Sequence, residues 1–427
     1  EHSGRHETMK SLYERYKASE AGVPIFMRSY SVTDDTKINN KLNNDFFSEI
    51  IDTKVGYFVG VPVVYEANSK DFEDFELRNR LELLDSETVK LATICGTAAR
   101  LLYVDTEAKI RAMNIWPWEC IWVMDRSIDE VQFALRYYDM EYVKPDGSTE
   151  TRERVEWYDK EKVTYYIKTE NGYVLDDTEK LNPQTHFFSY VPLIEYPNNL
   201  ERLGDSEKVL SLIDAYDRKE SDLDSELEQW RLAYMKVLGA ELTKEVIKEA
   251  LRTGAYNLPD GADMAFIEKN INIEAVDSHL NRLEANILRF SKSVNFADKE
   301  FTSDISGESR KYKLLSLENK CITTERQFSA SNQRMFKVLA SAPAFNLDWL
   351  NVTQRFTRNL PVSLEKDAQI LATLKGIIPD EILYGLASFI DDPKTVIDMM
   401  DEQREKQMNY YLPVNLEEDE DDGETDN

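Results

Sequence analysis

DSEKVLSLIDAYDRKESDLDSELEQWRLAYMKVL, from Asp205 to Leu238, carries the helical pattern around which the rest of the predicted fold is arranged. Its apolar residues recur at alternating steps of four and three, with only Glu220 breaking the series: Val209, Ile213, Tyr216, Leu223, Leu227, Trp230, Tyr234 and Val237. This spacing places them on one helix face. Asp205 is the predicted N-cap, and no Pro or Gly interrupts the run. The sequence therefore predicts a helix about 50 Å long.

The same register returns twice further along the chain. Its first return is the series Val276, Leu280, Leu283, Ile287, Phe290 and Val294, and a looser one is Leu314, Leu317, Cys321, Phe328, Met335 and Val338. The third run stops at Ala342-Pro343. Periodicity alone leaves two alternatives open, a helical bundle inside one subunit and helices that pack between subunits.

The rest of the chain predicts an α+β protein. Short runs rich in Tyr, Val, Ile and Trp between residues 100 and 196, with turns at Pro145-Asp-Gly147 and Asn171-Gly172, indicate an antiparallel sheet domain. Between Leu238 and Val276 the pattern predicts a short helix (243–253) and strands at 255–258 and 263–268. A unit this small has few ways to bury itself alone, so we expect it to pack against its copies in neighbouring chains.

Composition limits the classes of function. The net charge of the 427 residues is −28, and the terminal run LEEDEDDGETDN holds eight acidic residues and no basic one. We expect that tail to be disordered and solvated. The acidic remainder argues against a protein that grips nucleic acid, but not against one that lets DNA slide past. No apolar run is long enough to span a membrane, so a soluble, intracellular protein is expected.

Residues that carry chemistry are scarce. Cys95, Cys120 and Cys321 lack metal-site spacing and are predicted to be core thiols. The pairs Asp222/Asp224 and Asp391/Asp392 could hold Mg²⁺ in a nuclease, but residues two apart on a helix do not share a face. The four histidines offer no catalytic arrangement, and no phosphate-binding Gly-rich loop is visible. We therefore predict no enzyme and no cofactor or metal.

Four stretches, taken in order, resemble the portal proteins of tailed double-stranded DNA phages, the head-to-tail connectors found in siphoviruses of Gram-positive bacteria. They are IIDTKVGYFVGVPV (50–63), PLIEYPNNLERLGDSEKVLSLIDAYDR (192–218), SGESRKYKLLSLE (306–318) and FTRNLPVSLEKDAQILATLKGIIPDEIL (356–383). The resemblance extends over most of the chain. It implies a portal fold with long stem helices, a β-rich wing, a small α/β clip and a helical crown.

The resemblance assigns the chain to segments. Residues 1–204 would be the N-terminal arm and wing, 205–238 the first stem helix, 239–273 the clip, 274–292 the second stem helix, 293–307 the tunnel loop, 308–342 a long helix spanning the wing, 343–415 the crown and 416–427 the acidic tail. The implied assembly is a homo-oligomeric ring, usually of twelve subunits, at one capsid vertex of the virion, built in the host cytoplasm. Its implied partners are double-stranded DNA bound without sequence specificity, the large terminase, head-completion or adaptor proteins, and the major capsid and scaffolding proteins.

Two sets of residues follow as candidate sites. The DNA-channel set, in and beside the tunnel loop, is Lys292, Asn295, Lys299, Thr302 and Asp304. The set for packing between stem helices of neighbouring subunits is Val209, Ile213, Tyr216, Leu227, Trp230, Tyr234, Leu280, Leu283, Ile287 and Phe290. The alternative function is an acidic coiled-coil scaffold without a DNA channel.

Overall fold

The computed structural model describes residues 2–29, 38–125, 130–143, 147–230, 235–239, 243–253, 260–266, 272–296, 307–360, 364–385, 387, 390 and 393–411. Its contacts divide the chain into two compact units, residues 1–359 and 360–427. Helices and strands are both abundant, which confirms the α+β class. No helix among the described residues is long and apolar enough to cross a membrane.

Four helices precede the sheets: α1 (His2–Tyr16), α2 (Phe46–Val59), α3 (Lys70–Asn79) and α4 (Leu81–Cys95). Helix α2 buries Phe47, Ile50 and Ile51 against α1 and α4. Helix α4 ends at Gly96, whose φ of 84° is left-handed. A Cβ there would lie 2.1 Å from the Arg202 carbonyl oxygen, so the close approach of two backbone segments requires glycine.

The first unit also contains the antiparallel sheets that the sequence predicts. Strands β2 (Thr97–Val104), β3 (Ile110–Ile115) and β10 (Leu193–Pro197) form one sheet in the order β10-β2-β3. A larger sheet runs β4 (Cys120–Asp125), β5 (Glu130–Val143), β6 (Thr149–Tyr158), β7 (Lys162–Thr169) and β8 (Gly172–Leu175), with β9 (Gln184–Thr185) beside β7. Asn171-Gly172 forms the predicted turn between β7 and β8. All three cysteines are buried and free.

The first predicted long helix is shorter than its apolar pattern suggests. A 3₁₀ turn at Glu207–Val209 leads into α5 (Leu210–Trp230), and β11 (Met235–Leu238) is extended. Strand β11 pairs antiparallel with β12 (Asp263–Phe266), on the far side of α6 (Lys244–Thr253). The predicted helix to Leu238 is therefore wrong over its last four residues. Over four residues the apolar spacing does not distinguish a helix from a strand. The strand that pairs with β11 lies some thirty residues further along the chain, so no local pattern reveals it.

The other long helices agree closely with the pattern. Helix α7 (Ile273–Ser291) begins at Asn272, whose side chain accepts a hydrogen bond from the Ala275 N–H at 3.0 Å. It ends at Lys292, which has a left-handed φ of 56°. Helix α8 (Gly307–Ala340) is 34 residues long, or about 50 Å at the usual rise.

The boundary before the terminal unit differs from the predicted one at 343. Strand β13 (Thr353–Arg355) pairs with β1 (Val64–Glu66), and the Asn359 N–H donates to the Tyr57 carbonyl. Residues 343–359 therefore belong to the first unit. The second unit contains α9 (Leu364–Leu374), α10 (Asp380–Gly385) and α11 (Pro393–Tyr411), of which α10 packs on α11.

Candidate functional site

Helices α5 and α7 pack against each other, and their burial changes along their length. Val209, Ile213 and Ile287 are fully buried in a core that α1 and α2 share. At the other end, Leu227 is 39% exposed and Ile273 is 47% exposed. The pair therefore leaves the body of the unit as an arm that carries β11, α6 and β12 between its far ends.

This gradient separates the predicted intersubunit residues into groups. Five of them, Val209, Ile213, Leu280, Leu283 and Ile287, are buried within their own chain. In the single chain these side chains pack inside the subunit and leave at most 8% of their surface exposed, so their role between subunits stays a prediction for the assembled ring.

The remaining positions differ. Tyr216 is half-buried and lies edge-on to Phe46, with ring centroids 4.9 Å apart. Leu227 and Phe290 are exposed, Phe290 by 56%. Among the described residues of the predicted packing set, these two keep the most exposed apolar surface. The side chain of Trp230, and Tyr234 as a whole, lie outside the described residues.

A buried ion cluster, which we call the base cluster, holds the body end of the arm. It consists of Lys54 on α2, Asp205 before α5 and Lys320 on α8. The Asp205 carboxylate lies 3.2 Å from Lys54 Nζ and 2.9 Å from Lys320 Nζ. Lys320 also donates to the Ser291 carbonyl at the end of α7, at 2.9 Å. Asp205 therefore links α2 and α8 to the start of α5, and Lys320 adds the end of α7.

The electrostatics of the base cluster follow from burial. Burial on its own disfavours both charged forms. The ammonium groups of Lys54 and Lys320, with a hydrogen bond from Asn198, outweigh it for Asp205 and lower the pKa of its carboxyl to about 2. Burial lowers the pKa of the Lys54 ammonium. Asp205 is thus a counter-charge and not the predicted N-cap, and no pattern in the sequence pointed to its two lysine partners.

A second structure missed by sequence reasoning is a strap, residues 39–44, along α5. The backbone N–H groups of Asn40, Leu42 and Asn44 donate to Ser225 Oγ, Ser221 Oγ and Asp217 Oδ1, at 3.0, 2.9 and 3.0 Å. Donors two apart on an extended chain advance about 6.6 Å, and acceptors four apart on a helix advance about 6 Å. The donor spacing along the strap matches the acceptor spacing along α5, so the three hydrogen bonds form together without distorting either segment.

The strap also accounts for the acidic pair on α5. Asp222 accepts from the Arg28 guanidinium at 2.7 Å, and Asp224 accepts from the Asn40 side-chain amide at 2.8 Å. Among the described residues, no group of three or more His, Cys, Asp or Glu is placed to hold a metal ion. The two aspartates hold the segments that precede and form the strap against the helix.

The predicted channel residues are only partly described. Lys292 is exposed at the end of α7, and Asn295 is half-buried. Lys299, Thr302 and Asp304 lie outside the described residues. Two apolar side chains that no sequence pattern singled out lie near these positions in the chain: Phe296, which is partly exposed, and Tyr312, which is 78% exposed on the first turns of α8.

Comparison with known proteins gives consistent matches. The family model for SPP1 Gp6-like phage portal proteins matches residues 1–410. The portal protein of Bacillus phage SPP1 is 25% identical over 433 aligned residues, covering 94% of this chain and 84% of that protein. The portal protein of Clostridium phage phiCD119 is 25% identical over 380 aligned residues, covering 83% of this chain and 82% of that protein.

Proposed function

The chain belongs to the SPP1 Gp6-like family of phage portal proteins, and from this premise we propose that it forms the ring through which DNA enters and leaves one vertex of the capsid. As a phage portal subunit it is a virion component, and portal proteins form ring oligomers in phage heads. The proposal adds a ring of twelve, built in the host cytoplasm. It also adds docking of the large terminase, head-completion or adaptor proteins, and the major capsid and scaffolding proteins.

The observation that carries the proposal is the arm made by α5 and α7. Its base is sealed in the core of the subunit, while apolar side chains toward its far end, such as Leu227, stay exposed in a single chain. Neighbouring copies arranged around an axis would cover that surface on both sides. We therefore assign α5 and α7 to the stem and the residues between them, which include β11, α6 and β12, to the clip.

The remaining segments follow with two changed boundaries. Residues 1–204 form the N-terminal segment and the wing. The wing also includes α8 and residues 341–359, because β13 pairs with β1. The crown begins at 360, where the second compact unit begins. Residues 293–306, between α7 and α8, form the tunnel loop, and 416–427 the acidic tail.

Net charge supports the passage of DNA through the ring. An acidic surface repels phosphate, so the duplex finds no deep electrostatic well and can move. Contacts to the DNA backbone are then few, and we assign them to Lys292, Asn295, Lys299, Thr302 and Asp304. Replacing Lys299 by Ala should reduce DNA packaging and retention, while Lys160→Ala, an exposed lysine on the β6–β7 turn, should not. Equal packaging and retention in both variants would remove Lys299 from the contact set.

Electron microscopy of the purified protein tests the ring directly. Class averages should show a closed ring of about a dozen subunits around a hole at least 20 Å wide, roughly the diameter of a DNA duplex. A rod or filament without a hole would contradict the proposal and favour an acidic scaffold.

A further inference from the structure

A loop between β9 and β10 links the larger sheet to the end of α8. We call residues 186–190 the latch loop. At its start, the His186 N–H donates to the Glu161 carbonyl, in the turn between β6 and β7, at 3.2 Å. Near its end, the Ser189 N–H donates to Ser341 Oγ, just past α8, at 3.0 Å. The latch loop is therefore fastened to the sheet on one side and to the end of the long helix on the other.

The ring of His186 makes two hydrogen bonds that fix its protonation. Its Nε2 lies 3.0 Å from the Asp159 carbonyl oxygen, which can only accept, so Nε2 carries the hydrogen. The Phe188 N–H, which can only donate, lies 3.2 Å from Nδ1, so Nδ1 carries a lone pair. The two bonds together require the neutral imidazole. A proton added to Nδ1 would turn that acceptor into a donor facing another donor.

Burial and nearby charge act on this ring in opposite directions. His186 is 7% exposed, and burial lowers the pKa of its imidazolium. The turn packed against the ring carries four charged residues, Asp159, Lys160, Glu161 and Lys162. The carboxylates of Asp159 and Glu161 raise the pKa of His186, but by less than burial lowers it. Lys160 instead pairs with Glu130, at 3.4 Å.

On the helix side, the charge nearest the latch loop is also paired. The Lys337 ammonium of α8 lies 4.2 Å from the centre of the Tyr190 ring and 3.5 Å from the Glu130 carboxylate. Its charge is therefore largely balanced where it meets the loop. The balance between burial and the two turn carboxylates thus decides when His186 takes up a proton.

The backbone of the latch loop is strained at Phe187. This residue has a left-handed φ of 68°, which a bulky side chain rarely adopts, and its ring is 57% exposed. An exposed ring contributes little packing that could hold this conformation. The neighbours on both sides hold it, His186 through its ring bonds and Phe188 through a side chain that is 3% exposed. Loss of the ring bonds would therefore free a strained segment.

We propose that His186 is an acid-sensitive latch, which holds the latch loop on the β6–β7 turn while its ring is neutral and releases the loop when the ring gains a proton. Release uncovers Phe188, lets Phe187 relax and loosens the link between the sheet and the end of α8. A lowered histidine pKa means that the latch is fully closed above about pH 6.5, the ordinary pKa, and opens as the pH falls below it. The inference goes beyond the proposed channel function and does not depend on it.

Amide hydrogen exchange at Phe188 and Ser189 in the full chain tests the latch. After correction for the intrinsic pH dependence of exchange, the protection of both amides should fall several-fold from pH 7.5 to pH 5. The fall has a ceiling of about thirtyfold, because the released ring takes up its proton with an ordinary pKa near 6.5. The amides of β6, which lies between β5 and β7, should keep their protection. Unchanged protection at Phe188, or an equal loss throughout β6, would overturn the inference.

Two variants separate the proton from the contacts. In His186→Asn, the amide oxygen can replace Nδ1 as the acceptor for the Phe188 N–H but cannot gain a proton, so the loss of protection at low pH should disappear. His186→Lys carries a permanent charge and no acceptor, and should show the released loop already at pH 7.5. His279→Asn, the same change on α7, is the matched control and should behave like the wild type. A pH dependence that survives in His186→Asn would contradict the proposal, because another group would then be titrating.

Discussion

Asp205 is a single carboxylate between two buried ammonium groups, and its removal should be among the costliest substitutions in the chain. Asp205→Asn would leave Lys54 and Lys320 together without a counter-charge, which we expect to reduce the free energy of unfolding by about 3–5 kcal/mol. Lys54→Met would leave one lysine with one aspartate, and should cost about 1–2 kcal/mol. Urea unfolding of both variants measures the difference. Equal losses would show that Asp205 does not serve as the shared counter-charge.

The same carboxylate should give a pH signature. Its pKa in the folded protein is about 2, below the ordinary value of about 3.9. A lowered carboxyl pKa means that the stabilisation is complete above about pH 5 and is lost as the pH falls toward 2. The difference in stability between wild type and Asp205→Asn should therefore narrow from pH 5 to pH 3. A difference that stays constant over this range would contradict the assignment.

At the scale of elements, the strap along α5 should detach locally when its acceptors are removed. Ser221→Ala and Ser225→Ala each take away the partner of one backbone N–H, which we expect to cost about 1 kcal/mol. Amide hydrogen exchange at Leu42 and Asn40 should then speed up about fivefold per substitution, since 1.4 kcal/mol corresponds to a factor of ten. Thr323→Ala, which removes an exposed hydroxyl on α8, is the control. Unchanged exchange at Leu42 in Ser221→Ala would mean that the strap is held elsewhere.

The elements show where sequence patterns succeed and where they stop. The sheet between residues 97 and 197 and the helices α7 and α8 were predicted because each follows from a local period. Met235–Leu238 was assigned to a helix because its strand partner, Asp263–Phe266, is distant in the sequence. The strap was missed for a related reason. Nothing in the sequence around Ser221 and Ser225 indicates a partner, and only the folded chain brings residues 39–44 against them.

The candidate site was predictable in outline only. The a/d stripe identified α5 and α7, but it could not separate positions buried within the subunit, such as Ile287, from those left exposed, such as Phe290. That division depends on which side of α7 the helices α1 and α2 cover, and the residue period does not show it. The charges of the base cluster come from three places far apart in the sequence, and a lone Lys54 on an apolar helix carries no signal of its partners.

For the whole molecule, the large negative charge sets a condition on assembly. Every subunit carries a net charge of −28, so copies placed side by side repel each other, and apolar contacts must overcome that repulsion. The Debye length falls from roughly 30 Å at 10 mM salt to about 8 Å at 150 mM. The repulsion between neighbouring subunits is therefore screened over this range, while burial of side chains such as Phe290 is not.

Ring assembly should therefore strengthen as salt is added. We expect the fraction of rings, measured by sedimentation velocity at fixed protein concentration, to rise between 10 and 150 mM NaCl. A chain that ends at Asn415 lacks the eight acidic residues of the tail, and its rings should reach the same fraction at lower salt. Choline chloride at equal ionic strength should act like NaCl, because screening depends on ionic strength and not on the cation. If salt dissociates the rings instead, pairs of opposite charge hold the subunits together, and apolar contact is not what overcomes the repulsion.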